Sequence, residues 1–206
     1  MSFADLAAAE RSGLCDLMLE LGSHAPTLNE GWEVIDLAAH LVVREHDLWA
    51  AGGIVVDPLQ PVLDLAMKRR RRQGLERLVA IVRQGPPFLF RLMPDGAHLH
   101  EYFIHHEDVR RANGGAPRTD RRELDEALAV LVRSAARRRL RKVDAGVDLT
   151  WNGGVLYRHG SEPRANIEGA PGELLLYLTG RNRAARVEIS GDASAVGALK
   201  AADLAI

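Results

Sequence analysis

Two short stretches contain the side chains best suited to bind a metal ion. Glu101 and His105 lie four positions apart, so a helix would place both on one face, where they could hold the same ion. His40 lies in a separate helical pattern and could supply a third ligand from a neighbouring helix. Two imidazoles and one carboxylate suit zinc or a similar divalent ion, and three protein ligands leave a coordination position open, as in catalytic sites. The pattern therefore predicts a metalloenzyme.

An ion held in this way would lower the pKa of a water or thiol bound to it and produce a nucleophile at neutral pH. With water the reaction would be hydrolysis, and with a thiol cofactor it would be addition, transfer or isomerisation. The residues alone do not choose between these reactions, the metal or the substrate. A protein that keeps its ion but has no turnover is a further alternative.

Three neighbouring residues have expected supporting roles. Asp108 follows His105 by three positions and could orient its imidazole, with a capping or solvated role as the alternative. His106 points roughly 100° away around the helix, which favours the surface or a supporting position beside a ligand. Trp32 is expected to anchor the second helix in the core.

Composition disfavours several other classes of protein. The 206-residue chain has a formal net charge of −1 despite 27 basic residues, so no overall positive field attracts nucleic acid. The basic runs at residues 68–72 and 137–141 are typical of solvated helix faces. No apolar run approaches about 18 residues, so we expect no membrane span. Asp5, Glu10 and Arg11 interrupt the alanine-rich N-terminal pattern, so we do not expect a signal peptide.

Cys15 is the only cysteine, which rules out an internal disulfide and suits a reducing cytoplasm. Its apolar neighbours predict a thiol that is packed inside a helix and unreactive.

Apolar residues at helical spacing predict a helical region that ends at about residue 142. The first helix is expected at residues 2–21, with Ser2 as its N-cap, and the second at 32–51, ended by Gly52 and Gly53. The third is expected from Pro58 or Pro61 to about residue 84, with a break at Gly74. A fourth is expected at 96–112, and a fifth after an N-cap at Thr119. This pattern is typical of a four-helix bundle with one extra helical connection.

The pattern then changes to the alternation of strands. Apolar residues alternate over residues 147–151 and again over 155–159, on either side of Asn152-Gly153-Gly154, which predicts a hairpin. Further elements are expected as a strand at 166–168, a helix at 171–178, a strand at 186–189 and a final helix or turn at 194–204. The predicted fold class is α+β, with a helical metal-binding domain at residues 1–142 and a small α/β domain at 143–206.

The same stretches resemble a known family. Residues 28–41, LNEGWEVIDLAAHL, are similar to the GW-x3-DL-x2-HL stretch of mycothiol-dependent maleylpyruvate isomerase-like proteins, which belong to the wider DinB-like metalloenzyme superfamily. Residues 101–108 resemble the family's second ligand stretch. Residues 172–181 resemble its C-terminal domain, in which a helix leads into a Gly-Arg pair.

The resemblance implies that His40, Glu101 and His105 bind the metal, in a four-helix bundle followed by a small α/β domain. It also implies a low-molecular-weight thiol such as mycothiol as cofactor, and a thiol-using isomerase or transferase acting on a small molecule. Arg181 is a candidate catalytic residue, because a guanidinium can bind the carboxylate of an anionic substrate through two hydrogen bonds. A structural salt bridge is its alternative role. A metal-dependent hydrolase and a non-catalytic metal-binding protein remain the alternative functions, and the sequence leaves the oligomeric state open.

Overall fold

The computed structural model describes residues 1–51, 60–88, 90, 93–119 and 121–204, so the predictions that involve Gly52, Gly53 and Pro58 lie outside the described residues. The chain divides into two compact units, Met1–Ala116 and Pro117–Ile206. The first unit is built from helices, and the second combines helices with a four-stranded sheet. The predicted fold class, α+β, is confirmed.

The helices of the first unit follow the predicted pattern closely. Ser2 begins the first helix with a capping box, in which its hydroxyl accepts from the Asp5 amide and the Asp5 carboxylate accepts from the Ser2 amide. Gly22 ends that helix at a φ of 82°, a conformation that favours glycine. The described helices are α1 (Phe3–Leu21), α2 (Val34–His46), α3 (Leu48–Ala51), α4 (Gln60–Arg71), α5 (Leu75–Gln84) and α6 (Asp95–Ala112).

One of the predicted helices differs from the observed structure. The second is shorter than expected, because α2 ends at His46 and the short α3 follows as a separate turn. The third is interrupted as predicted, since Gly74 has a φ of 82° between α4 and α5. Among the described residues, no helix is both long and apolar enough to cross a membrane.

The core of the first unit forms where α1 lies along α6 and α2 lies along α4 and α5. Leu14, Leu41 and Leu78 are fully buried there. Cys15 is also fully buried, with Sγ 3.9 Å from the carbonyl oxygen of Val79, and burial raises the pKa of its thiol to about 11. The prediction of a packed cysteine is confirmed.

In the second unit, a mixed sheet is built around the predicted hairpin. Asn152 and Gly153 have φ values of 50° and 74°, as a tight hairpin turn requires. The strands lie in the order β2-β1-β3-β4, with β1 and β3 parallel and the other pairs antiparallel. The elements are α7 (Arg122–Arg139), a 3-10 turn (Leu140–Lys142), β1 (Gly146–Trp151), β2 (Gly154–His159), β3 (Arg164–Glu168), α8 (Pro171–Leu178), β4 (Glu188–Gly191) and α9 (Ala193–Ala201).

The division between the units comes earlier than the domain boundary that the sequence predicted at 142/143. The reason is α7, which packs on α8 and β2 and therefore belongs to the unit that contains the sheet. Its apolar face was predicted correctly, but such a face does not reveal its partner. The predicted cap at Thr119 is wrong, because α7 begins after Arg121.

Candidate metal centre

The two helices α2 and α6 bring the three predicted ligands together. His40 lies in α2, while Glu101 and His105 lie one turn apart on one face of α6. One donor atom from each side chain lies within 4.8 Å of the other two, slightly wider than the separation of roughly 4 Å between donor atoms that bind one zinc ion. Among the described residues, no other group of three histidine, cysteine or acidic side chains meets this criterion.

The carboxylate of Glu101 is the centre of this group. Its Oε1 lies 3.4 Å from Nε2 of His40 and 3.2 Å from Nε2 of His105. The two imidazole rings have centroids 5.2 Å apart and an interplanar angle of 72°. Both Nε2 atoms and one carboxylate oxygen therefore converge on a single region.

Asp108 fixes the orientation of one imidazole. Its Oδ2 lies 2.9 Å from Nδ1 of His105, and a carboxylate can only accept, so Nδ1 carries the proton and Nε2 is the nitrogen left for an ion. The same oxygen accepts from Nδ2 of Asn29 at 3.4 Å. Asp108 has no exposed surface. The orienting contact predicted for Asp108 is confirmed.

The protonation of the group is set by burial and by the shared carboxylate. Burial lowers the pKa of His40, so this ring favours its neutral form. Burial would also lower the pKa of His105, but hydrogen bonds with Asp108 and Glu101 outweigh it and raise the pKa to about 9. Burial would raise the pKa of Glu101, but hydrogen bonds from the two histidines hold it well below its ordinary value. Without a metal, His105 therefore carries the extra proton.

Arg44 is a member of the site that the sequence analysis missed. It lies four residues after His40 on α2, and its Nε forms an ion pair with Oε1 of Glu101 at 3.2 Å. A second nitrogen, Nη1, lies 3.8 Å from Oε1 of the buried Glu45. The spacing from His40 was a usable signal, because residues four apart share a helix face.

Trp32 lies beside the site instead of in the core. It is only partly buried, and its ring centroid lies 5.3 Å from that of His40 at an angle of 55°. Both side chains line a cavity of about 340 Å³, which we call the His40 cavity; its other walls include Met67 and Lys68. The prediction of a core anchor is therefore wrong, because the tryptophan covers one side of a candidate ligand.

Two other histidines of α6, His98 and His106, have different partners. Nδ1 of His106 pairs with Oε2 of Glu10 at 2.9 Å, and both side chains are largely buried. Nε2 of His98 donates to the carbonyl oxygen of Phe90 at 3.1 Å. Neither joins the group at Glu101.

Arg181 lies in the second unit, just after α8. Its Nη1 donates to the carbonyl oxygen of Thr179 at 2.7 Å, and its amide donates to that of Leu176 at 2.9 Å. These hydrogen bonds cap carbonyl groups at the C-terminal end of α8. A role in catalysis stays a prediction.

Comparisons with known proteins identify the fold. No family model matches the sequence, and no curated protein matches it either. The crystal structure of the mycothiol-dependent maleylpyruvate isomerase is similar, with a TM-score of 0.61, 16% sequence identity and 92% of each chain covered. A histidine-to-alanine mutant of that isomerase gives the same values. The resemblance inferred from the sequence motifs is confirmed at the level of the fold.

Proposed function

We propose that this protein is a divalent-metal-dependent enzyme of the maleylpyruvate isomerase-like type, which uses a thiol cofactor as a transferase or isomerase. His40, Glu101 and His105 would hold the ion. The observation that carries the proposal is the convergence of these three side chains, with one possible ligand atom from each within 4.8 Å of the other two. The protein fold, shared with a mycothiol-dependent isomerase, favours a thiol such as mycothiol over water as the group to be activated.

The residues fit a zinc ion by their chemistry. Two imidazoles and one carboxylate are donors that zinc accepts, and Asp108 supplies the carboxylate that commonly supports a zinc-bound histidine. A divalent ion bound there would supply Lewis acidity and lower the pKa of a thiol that binds it.

The chain's own side chains prepare the site for that chemistry. Asp108 holds Nδ1 of His105, so the imidazole cannot turn away. Arg44 lies 3.2 Å from Oε1 of Glu101, and its positive charge helps to keep the pKa of this carboxylate low, so that Glu101 stays ionised as a ligand. Trp32 packs against the ring of His40 and forms a wall of the cavity beside it.

The remaining parts of the proposal concern the wider protein. We propose that the first unit is a four-helix bundle of the DinB-like kind, built mainly from α1, α2, α5 and α6, with the second unit as the small α/β domain of that family. A thiol cofactor requires a reducing environment, which suits a cytoplasmic location. The substrate would be a small anionic molecule.

Arg181 would bind a carboxylate of that substrate. We expect Arg181→Met to raise KM for an acidic substrate by roughly ten- to a hundredfold, since hydrogen bonds to charged groups contribute about 1.5–3 kcal/mol. The metal content should not change. Steady-state kinetics together with elemental analysis would check this, with Arg183→Met as the control from the same loop. An unchanged KM would remove Arg181 from the site.

The central experiment is elemental analysis of protein purified without added metal, followed by an activity screen with mycothiol and maleylpyruvate. We expect about one equivalent of zinc per chain and turnover that requires the thiol. Metal without any effect of the thiol would favour a hydrolase or a non-catalytic metal-binding protein. Protein that binds no divalent ion after reconstitution would contradict the proposal.

A further inference from the structure

A second cavity of the first unit adjoins the His40 cavity. It has a volume of about 400 Å³, and we call it the basic cavity. The two cavities share Lys68 and Arg71 as lining residues, so they meet at the C-terminal part of α4. Among the described residues, no acidic side chain lines the basic cavity, whose walls are Ser23, His24, Ile35, Lys68, Arg71 and Arg72.

The basic run at the end of α4 divides into cations with and without a carboxylate partner. Arg70 binds both carboxylate oxygens of Asp47 at 2.7 Å. Arg71 contacts both carboxylates of the α2 capping box. Lys68 and Arg72 are exposed, and neither has an ion-pair partner in the described part of the chain. A helix C-terminus attracts cations in general, but that does not explain why these two face one cavity unpaired.

The His40 cavity has a different charge balance. Asp36 and Asp64 line it together with Lys68 and Arg71, so its fixed charges cancel. A negatively charged group would therefore be more stable in the basic cavity, where Lys68 and Arg72 supply two positive charges that no described carboxylate pairs with.

We propose that the basic cavity is the binding site for a carboxylate of the ligand whose other end reaches the ion at His40. The inference rests on the proposed function and specifies its ligand: an extended molecule with a thiol or carbonyl group at one end and an anionic group at the other. The molecule would pass Lys68, which lines both cavities. The hydroxyl of Ser23 would be a further hydrogen-bond donor to the carboxylate.

The size of the effect follows from the exposure of these cations. Exposed ion pairs contribute little individually, so we expect a preference of roughly three- to tenfold for an anionic ligand. Because the anionic group is tethered to a group at the metal, its effective concentration at Lys68 and Arg72 is high, and even weak contacts raise the affinity.

The test compares thiols that differ only in charge. Cobalt-loaded protein would be titrated with mercaptopropionate and mercaptohexanoate and with the matching mercapto alcohols, following the cobalt–thiolate absorption band. We expect the wild-type protein to bind at least one acid roughly three- to tenfold more tightly than its alcohol. The double variant Lys68→Met/Arg72→Met should lose this preference. Arg69→Met should keep it, because Arg69 lies on the same helix but lines neither cavity.

A second measurement does not depend on the metal. In metal-free protein, phosphate on the order of 10 mM should raise the Tm of the wild type and of Arg69→Met more than that of the double variant. Equal stabilisation of all three, or equal affinity for acids and alcohols with a normal absorption band, would overturn the anion site and leave the proposed function intact. A protein that shows the phosphate difference but no cobalt–thiolate band would retain the anion site and contradict the proposed function.

Discussion

Each unit contains a largely buried carboxylate that contacts nitrogen atoms from several side chains, and only the first has histidines among its partners. In the first unit, Oε1 of Glu101 contacts Nε2 of His40 and Nε2 of His105, and it also forms an ion pair with Arg44. In the second, Asp148 accepts two hydrogen bonds from Arg158, at 3.0 and 2.9 Å, and one from Arg164 at 2.8 Å. Both carboxylates have less than one fifth of their side-chain surface exposed.

The partners decide what each carboxylate can do. A guanidinium is permanently charged and only donates, so Arg158 and Arg164 cannot share an ion with Asp148 and can only tie β2 and β3 to β1. An imidazole can lose its proton and present a lone pair. Similar geometry therefore stabilises the sheet in one unit and forms a candidate metal centre in the other.

The largest expected effect is on metal affinity. Glu101→Gln removes the negative charge that the ion would share, and we expect the affinity for zinc to fall by more than about a hundredfold, because even supporting residues of zinc sites contribute 10–100-fold. Competition with a chelating dye would measure it. The matched variant Asp148→Asn should leave zinc affinity unchanged. Equal loss in both variants would show that the two carboxylates do not differ as we describe.

The second effect is the pH dependence of that affinity. Because the pKa of His105 is raised to about 9, an ion must displace its Nε2 proton at lower pH. Zinc affinity should rise about tenfold per pH unit between about pH 7 and 9 and then level off. In Asp108→Asn the zinc affinity should level off at a lower pH, since the hydrogen bond with Asp108 helps to raise the pKa of His105. A flat profile below pH 9 would contradict the assignment.

The same raised pKa affects the stability of the metal-free protein. His105 binds its proton more tightly in the folded protein than in the unfolded chain. Its contribution to the free energy of unfolding is therefore fully present below about pH 6.5 and is lost as the pH rises through about 9. Urea unfolding curves recorded between about pH 6.5 and 9 would show the decline in the free energy of unfolding. The variant His105→Gln should not show this decline.

A smaller effect is expected from the carboxylate of the second unit. Asp148→Asn weakens three hydrogen bonds from arginines. Arg158 is 61% exposed, so solvent screens part of its contribution, and we expect a loss of about 1–2 kcal/mol in the free energy of unfolding. Chemical denaturation would measure it. A zinc affinity that changes with this stability loss would contradict the division of roles.

The smallest effect concerns Cys15. Because this thiol is fully buried and its pKa is raised to about 11 by burial, it is not available as a ligand or nucleophile at neutral pH. Cys15→Ser should leave metal content and activity nearly unchanged. Activity lost by a folded Cys15→Ser protein would show that the nucleophile is this cysteine.

The sequence by itself determined the local features of the candidate site. Glu101 and His105 share a face because helix geometry alone requires it, and Asp108 follows on the same side. The hairpin was also predictable, since Asn152 and Gly153 readily adopt the positive φ values of its turn. For His40, spacing showed a helical position, and only the resemblance to a known family singled it out as a ligand.

Only the tertiary structure decided which faces meet. A helical stripe shows that a face is buried but not against which partner, so the packing of α7 on α8 and β2 could not be read from the pattern. For the same reason, Trp32 was assigned to the core although it lines the cavity at His40. Arg44 entered the site because α2 and α6 place it against Glu101, a contact between residues that are far apart in the chain.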